Sequence, residues 1–347
     1  MIKNDKPKLR DVARLAGVSL GSASRALSNP DQVKPSTLAK VDAAVRQLQY
    51  VMDGAARALA LRRTFSVAAI FPTLNNPIYA DSIQALQQRL NHSGYQLIIA
   101  SHEYDREREL SSVRNFIERG VEGIFLVGTD HDPVVFELLH RSQRPYVLMW
   151  SVDECREHCA VGFSNLRGGE LIADHVLALG HRDVAILTGQ RRHNERARYR
   201  IDGVRKRFAT LGIEVPEYRI IEQPFSLEGG RAGFEQVLAL QPAPTALICT
   251  TDLLALGACE QAKRLGISVP ADMTITGFDD ISFSAIASPS LTSIRIPIFE
   301  IGQLSADMLI AQVEGVEVER VVELDISLVA RESSASPRVG LADLSNA

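Results

Sequence analysis

The chain has 347 residues, 46% of them hydrophobic and 23% charged, with a formal net charge of −4. That length supports about two or three domains, the balance describes a globular protein, and no run approaches the ~18 apolar residues of a membrane span. The charge is uneven: residues 1–64 carry 12 Lys and Arg against 5 Asp and Glu, or +7, and the remainder carries −11, so a basic head suited to a polyanion precedes an acidic body that is not.

The opening residues, "MIKNDKPKLRDVARLAGV", contain no apolar signal-peptide core, and a cytoplasmic location is expected. Three short helical stripes follow: Leu9, Val12, Ala13, Ala16; then Ala23, Ala26, Leu27; then Leu38, Val41, Ala44, Val45, Leu48. Ser19 is placed to cap the second helix, and Pro35 suits the first turn of the third. Gly17 separates the first two. That pattern fits a helix-turn-helix or simply two packed core helices. The outer positions Leu20, Ser22, Ser24 and Arg25 are not needed for a core and suit approach to phosphates and base edges. The Ala-rich "DGAARALAL", Asp53 to Leu61, has a cap in Asp53 but too few apolar residues to stand alone.

From Phe65 the pattern changes. The strand-like runs "SVAAIF", "YQLIIA", "EGIFLV", "RPYVLM", "DVAILT", "YRII", "TALICT" and "MTITGF" alternate with amphipathic stretches. Such alternation predicts parallel α/β sheets covered by helices, and their number predicts two lobes. The tail after Arg331, "ESSASPRVGLADLSNA", has no periodicity and is expected to be loose.

Chemistry-bearing motifs are few. There is no GxxxxGK[ST], GxSxG or HExxH. Cys155, Cys159, Cys249 and Cys259 lack CxxC spacing and read as reduced thiols; "ECREHC" reads as a solvent-facing loop. No metal or cofactor is expected. "GQRRHNERARYRIDG" and "GFDD" each follow a strand, where ligands bind in open α/β sheets. Their arginines and Asp279 either face a cleft there or serve as a solvated helix start and a cap.

Eight stretches in order carry a resemblance: "DVARLAGVSLGSASRALSNPDQV"; Tyr50 with "ARALALRRT"; Pro72 with "NNPIYADSIQAL"; "LALGHRDVAILTG"; "RYRIDG"; "TTDLLALGA"; "GISVPADMTITGFDD"; and "LTSIRIPIFEIGQLSADML". Over nearly its whole length the chain resembles the lactose-repressor (LacI/GalR) family of bacterial transcription regulators. The resemblance implies an α/β fold with an N-terminal helix-turn-helix headpiece (1–51), a hinge helix and linker (52–64), and a two-lobed periplasmic-binding-protein-like core (65–335). Lobe 1 would hold about 65–162 and 292–322, lobe 2 about 163–291 and 323–335, with a loose tail at 336–347. It also implies a ligand-responsive repressor rather than an enzyme or a solute receptor. Such a repressor binds a near-palindromic DNA operator as a homodimer. The tail's Leu341 and Leu344 form no heptad for a tetramer.

By the same resemblance, Leu20 and Gly21 open the recognition helix, Ser19, Ser22 and Ser24 contact phosphates or nearby bases, and Arg25 reaches a guanine edge. Leu59, flanked by Ala56 and Arg57, matches a leucine that wedges into the minor groove. Met52-Asp53 replaces the family's usual Pro-Asn, and Gly54 lowers helix propensity by up to ~1 kcal/mol, so the hinge is expected to fold on DNA. Tyr79, Phe163, Arg200, Phe225 and Asp279 match effector-contacting positions. Trp150 stands where an Asp often binds hydroxyls, and Thr251 where an Asn usually does. With Arg200, joined by Arg198 or Arg196, these replacements point away from a simple neutral sugar. They point toward a carboxylate, a phosphate or a flat face.

Overall fold

The computed structural model describes residues 6–61, 63–152, 154–155 and 157–338. The chain divides into two compact units, Met1–Phe65 and Ser66–Ala347.

The first unit holds helices α1 (Leu9–Ala16), α2 (Leu20–Ser28), α3 (Pro35–Leu48) and α4 (Gly54–Leu61). Val12, Ala13, Ala16, Ala23, Ala26, Val41 and Ala44 form the core of α1–α3. Their i, i+3/i+4 spacing gives each helix one apolar stripe. Val12 and Val41 are fully buried, each contributing roughly 1.5–3 kcal/mol. Gly17 ends α1 at φ 65°, a conformation that costs glycine little. Ser19 caps α2 by accepting from the Ser22 amide at 3.0 Å.

The second unit begins with β1 (Ser66–Phe71), α5 (Pro77–His92), β2 (Gln96–Ser101), α6 (Arg106–Glu118), β3 (Ile124–Val127), α7 (Pro133–Arg141), β4 (Tyr146–Met149) and β5 (Ala160–Gly162). It continues through α8 (Asn165–Ala178), β6 (Val184–Thr188), α9 (Glu195–Ala209), β7 (Ile220–Glu222), α10 (Leu227–Leu238), β8 (Ala246–Cys249), α11 (Asp252–Arg264) and β9 (Thr274–Thr276). It ends with α12 (Ser282–Ile286), β10 (Ser293–Arg295), α13 (Ile298–Val313), β11 (Val321–Glu323) and β12 (Ser327–Val329).

A six-stranded parallel sheet, order β11-β5-β4-β3-β1-β2, forms lobe 1, and a four-stranded parallel sheet, β7-β6-β8-β9, forms lobe 2. The antiparallel pair β10-β12 adjoins lobe 2 through bridges from Thr276 to Thr292 and from Asp279 to Arg295. The return passage into lobe 1 therefore falls after Arg295, not near residue 292 as the sequence suggested. Strands β3, β4, β6, β8 and β9 are buried almost throughout, because helices cover both faces of a parallel sheet. β2 is an edge strand with Ile98 and Ile99 partly exposed.

Two expectations need correction. Residues 332–335 are not loose. Ser333 is fully buried and donates to the Ile275 carbonyl at 2.6 Å, and the Ala335 amide donates to Thr274 at 3.1 Å. Backbone pairing to β9 and serine hydroxyls replaces the apolar periodicity that would have announced them. The "ECREHC" segment is not simply a solvent loop. Cys155 is buried, and His158 stacks on Phe136 at 4.2 Å and pairs with the Tyr146 hydroxyl at 2.7 Å. Leu341 and Leu344 lie outside the described residues.

Candidate functional site

The outward face of α2 carries the residues expected to meet DNA. Leu20 is 54% exposed, and a Cβ on Gly21 would meet only Ser19 Oγ within 4 Å. Arg25 is exposed, one turn further along. The Ser19 and Ser22 hydroxyls lie 2.9 Å apart and spend one bond on each other. Ser24 is half-buried, its carbonyl accepting from Ser28 Oγ. α4 spans Gly54–Leu61, and Leu59 on it is 83% exposed. The side chains of Ala56 and Arg57 lie outside the described residues.

The second unit closes around a narrow cavity of ≈ 30 Å³. Its walls are the carboxyl ends of parallel strands, where loops leave both sheets. Lobe 1 contributes Asn76 and Tyr79 after β1, Tyr104 after β2, and Trp150 after β4. Lobe 2 contributes Asn194, Arg196 and Arg200 around the start of α9, Phe225 after β7, Thr251 after β8 and Asp279 after β9.

Six expected effector contacts thus line one cavity: Tyr79, Trp150, Arg200, Phe225, Thr251 and Asp279. Two do not. Phe163 is fully buried, stacked on Phe278 at 6.3 Å, beneath the cleft rather than in it. Arg198 turns to an adjoining groove, where it pairs with Asp130 at 2.5 Å and donates to the Arg191 carbonyl. The reason is helical spacing. Residues 196 and 200 are one turn apart on α9 and share a face; residue 198 faces another way. Arg196 therefore takes the place that Arg198 was expected to fill. Tyr104 carried no sequence signal, and Asn194 and Asn76, though within quoted stretches, were not singled out, since each sits in an irregular loop or at a helix start.

Arg200 is held on every side. Nε donates to Asn165 at 3.0 Å and Nη1 to the Thr250 carbonyl at 2.7 Å. Nη1 also lies 3.4 Å from Asp279, and the guanidinium stacks 3.7 Å over Phe278. Burial lowers its pKa, against the pull of Asp279. Burial pushes the Asp279 carboxyl up to about 6, with Arg200 opposing. Asp252 behind it is pushed up to about 7 by burial; it accepts from Ser284 and Ser293, both at 2.6 Å.

Several polar atoms in the cavity wall are buried without a protein hydrogen-bond partner. They are Asn194 Oδ1, Trp150 Nε1, Thr251 Oγ1 and Asp279 Oδ2, the last approached by Asn76 without a well-formed bond. Leaving such an atom unsatisfied costs about 1–3 kcal/mol, and four in one cavity mark a place built for a polar molecule. Trp150 also has φ 75°, unusual for a bulky residue, and presents its indole edge-on to Tyr79 at 5.2 Å.

Contacts between the lobes shut the cavity. The Thr129 amide donates to Glu195 Oε1 at 2.9 Å, Arg196 Nη1 donates to the Val127 carbonyl at 3.0 Å, and Tyr104 stacks on Phe225 at 5.7 Å. Among the described residues no His, Cys, Asp and Glu cluster could hold a metal ion, and no helix is long and apolar enough to cross a membrane.

Comparison with known proteins agrees with this geometry. Residues 8–53 match the lacI family of bacterial regulatory proteins, and residues 173–334 match the periplasmic binding protein-like domain. The chain is 35% identical to the HTH-type transcriptional regulator GntR of Pseudomonas aeruginosa, over 96% of this chain and 99% of that one. It is 28% identical to the ribose operon repressor of Escherichia coli, over 88% and 92%. Among solved structures, the lac repressor dimer bound to operator and the anti-inducer ONPF superimposes with a TM-score of 0.84. That match has 26% identity and covers 95% of this chain and 100% of that one.

Proposed function

The chain belongs to the lacI family of bacterial regulatory proteins, and from that premise we propose that it is a non-enzymatic, ligand-responsive repressor. It binds a near-palindromic operator as a homodimer, placing two α2 helices in successive major grooves. Its effector is a small organic acid, sugar acid or sugar held between the lobes, and Leu59 wedges the minor groove at the operator centre. The observation that carries the reading is the pairing in one chain of an exposed, small-residue α2 with a closed cavity of unsatisfied polar atoms. The coupling between the two sites is expected at ~1–3 kcal/mol. The apolar edge strand β2 supports self-association.

The test begins with selection of an operator from random duplex DNA. Its affinity is then measured with and without sugars, sugar acids and organic acids that bind by calorimetry. A roughly 5–150-fold change in affinity is expected, with a sedimentation mass of two chains. Sequence-indifferent DNA binding, or cleft ligands that never alter operator affinity, would sink the reading.

A further inference from the structure

Two arginines face the cleft, and they differ in what they have left to give. Arg200 already gives Nε to Asn165 and Nη1 to the Thr250 carbonyl and Asp279, and its face stacks on Phe278. Arg196 is 6% exposed, and only its Nη1 meets a carboxylate, that of the neighbouring Glu195, at 3.3 and 3.4 Å. A guanidinium engaged by its natural partner shows two short, parallel bonds from two nitrogens. Here both bonds are long and come from one nitrogen, and Glu195 is also occupied by the Thr129 amide. Nη1 also donates to the Val127 carbonyl, and the hydroxyls of Tyr104, hydrogen-bonded to the guanidinium, and of Tyr79 lie beside it. Arg196 lines the cavity with no carboxylate on its other nitrogens among the described residues, so a ligand carboxylate can complete its fork.

The unsatisfied atoms narrow the chemistry further. Asp279 Oδ2 and Asn194 Oδ1 accept, Trp150 Nε1 donates, and Thr251 Oγ1 does either. Hydroxyl groups answer all of them, since each both donates and accepts. A flat hydrocarbon face answers none. A neutral sugar answers these four atoms and leaves Arg196 without its fork partner. A phosphate dianion brings a second negative charge toward Asp279 and Glu195.

We propose that Arg196 is the acid-selecting residue of the cleft. The ligand is a polyhydroxylated monocarboxylate, with its carboxylate on the Arg196 fork and its hydroxyls on Asp279, Thr251, Asn194 and Trp150. The assignment rests on reading this cleft as the effector site.

Calorimetry on the full-length protein tests it with a panel of C4–C7 aldonates and uronates, the matched alditols and aldoses, and the matched plain alkanoates. At least one polyhydroxy acid should bind roughly tenfold or more tighter than its neutral counterpart and than its alkanoate. Arg196→Gln should abolish the preference over the neutral counterpart: acid and neutral affinities converge, with neutral ligands losing only what the Val127 closure contact contributes. Thr251→Val should weaken acid and neutral ligands alike. If Arg196→Gln loses its cooperative melt, Arg196→Lys, which keeps charge and loses the fork, should still shrink the preference severalfold.

Neutral ligands binding as tightly as acids, a preference that survives in Arg196→Gln, or no acid binding at millimolar concentration would each overturn the assignment. Operator titrations separate this outcome from failure of the regulator reading. An acid that binds through Arg196 without shifting operator affinity refutes the regulator and leaves this assignment. A ligand that shifts operator affinity equally in wild type and Arg196→Gln does the reverse.

Discussion

A Cβ built on Gly128 would stand 1.9 Å from Nη1 of Arg196 and 2.6 Å from Oε1 of Glu195. Gly128 has φ 96°, a backbone conformation that strains any side chain, and a Cβ there would also have to displace the ends of Arg196 and Glu195. Its neighbours carry the inter-lobe contacts: the Val127 carbonyl, the Thr129 amide and the Asp130 carboxylate, which meet Arg196, Glu195 and Arg198.

Gly128→Ala should therefore push the lobes apart. We expect a loss of about 1–3 kcal/mol in stability from the strained φ alone, and cleft-ligand affinity lower by tenfold or more. Thermal melts and calorimetry read the two effects. Unchanged ligand affinity would mean that closure on this loop plays no part in binding.

Arg25→Ala should weaken specific operator binding by ~1–3 kcal/mol and relax the preference at one base position. The motivation is a single exposed cation on a helix face otherwise built of small residues and Leu20. Equal losses on operator and random DNA, measured by anisotropy, would reduce Arg25 to a phosphate contact.

Leu59→Ala should leave the melting temperature within about a degree, because an 83% exposed side chain contributes little burial. Operator discrimination and DNA bending should both fall, the bend being read by energy transfer between labelled duplex ends. A bend as large as the wild type's would refute the wedge.

A pH dependence follows from the cluster behind Gly128. His131 Nδ1 lies 2.7 Å from Glu109 Oε1, and Nε2 lies 3.1 Å from the Gly128 carbonyl. Both partners accept, so the ring satisfies both as the imidazolium. Burial would lower its pKa, but Glu109 and Glu195 outweigh burial and raise it. Burial raises that of Glu109, but His131, His102 and Arg106 together lower it. His102, 3.8 Å from the same carboxylate, is pushed down to about 4 by burial. Arg106, Asp105, Asp130, Arg196 and His193 are the other charged or titratable groups around the cluster.

His102 is neutral in the fold and titrates near 6.5 when unfolded. As pH falls from 6.5 toward 4 the unfolded chain takes up a proton that the folded one does not. Stability is then lost at up to about 1.4 kcal/mol per pH unit. Asp279, with its raised pKa, works in the opposite sense over the same window. The comparison is therefore between wild type and His102→Gln. The variant should lose less stability on acidification, as urea melts at pH 7 and pH 5 will read; parallel losses would refute the assignment.

Eight strands were legible, most clearly those with a long apolar run, as β1 and β6 have; the three-residue β7 and β9 were marked by their place in the alternation with helices. The equally short β5, β10, β11 and β12 were not, since they fall outside that alternation and so few residues carry no pattern of their own. The headpiece stripes match its core residue by residue. In the cleft, Asp279 and the arginines of the 189–203 stretch were candidates from their place after strands, whereas Arg200 by name and Thr251 came from the family resemblance. The choice between Arg196 and Arg198 was available from helical spacing but was not settled without α9's start. Nothing in the sequence signals the positive φ of Trp150, because a bulky residue takes that conformation only when its surroundings impose it.

Only short stretches join the lobes: residues 163–164, 296–297 and 324–326. They run close together, with the Leu324 amide on the Gly162 carbonyl at 2.8 Å and β10 paired to β12. At about 3.3–3.6 Å per residue, two or three residues leave almost no slack. Three taut tethers along one edge act as a hinge pin: they resist sliding and separation and leave rotation as the soft coordinate. A ligand in the cleft then acts as torque on a lever arm. What it imparts is an angle, whose linear effect grows with distance from the pin.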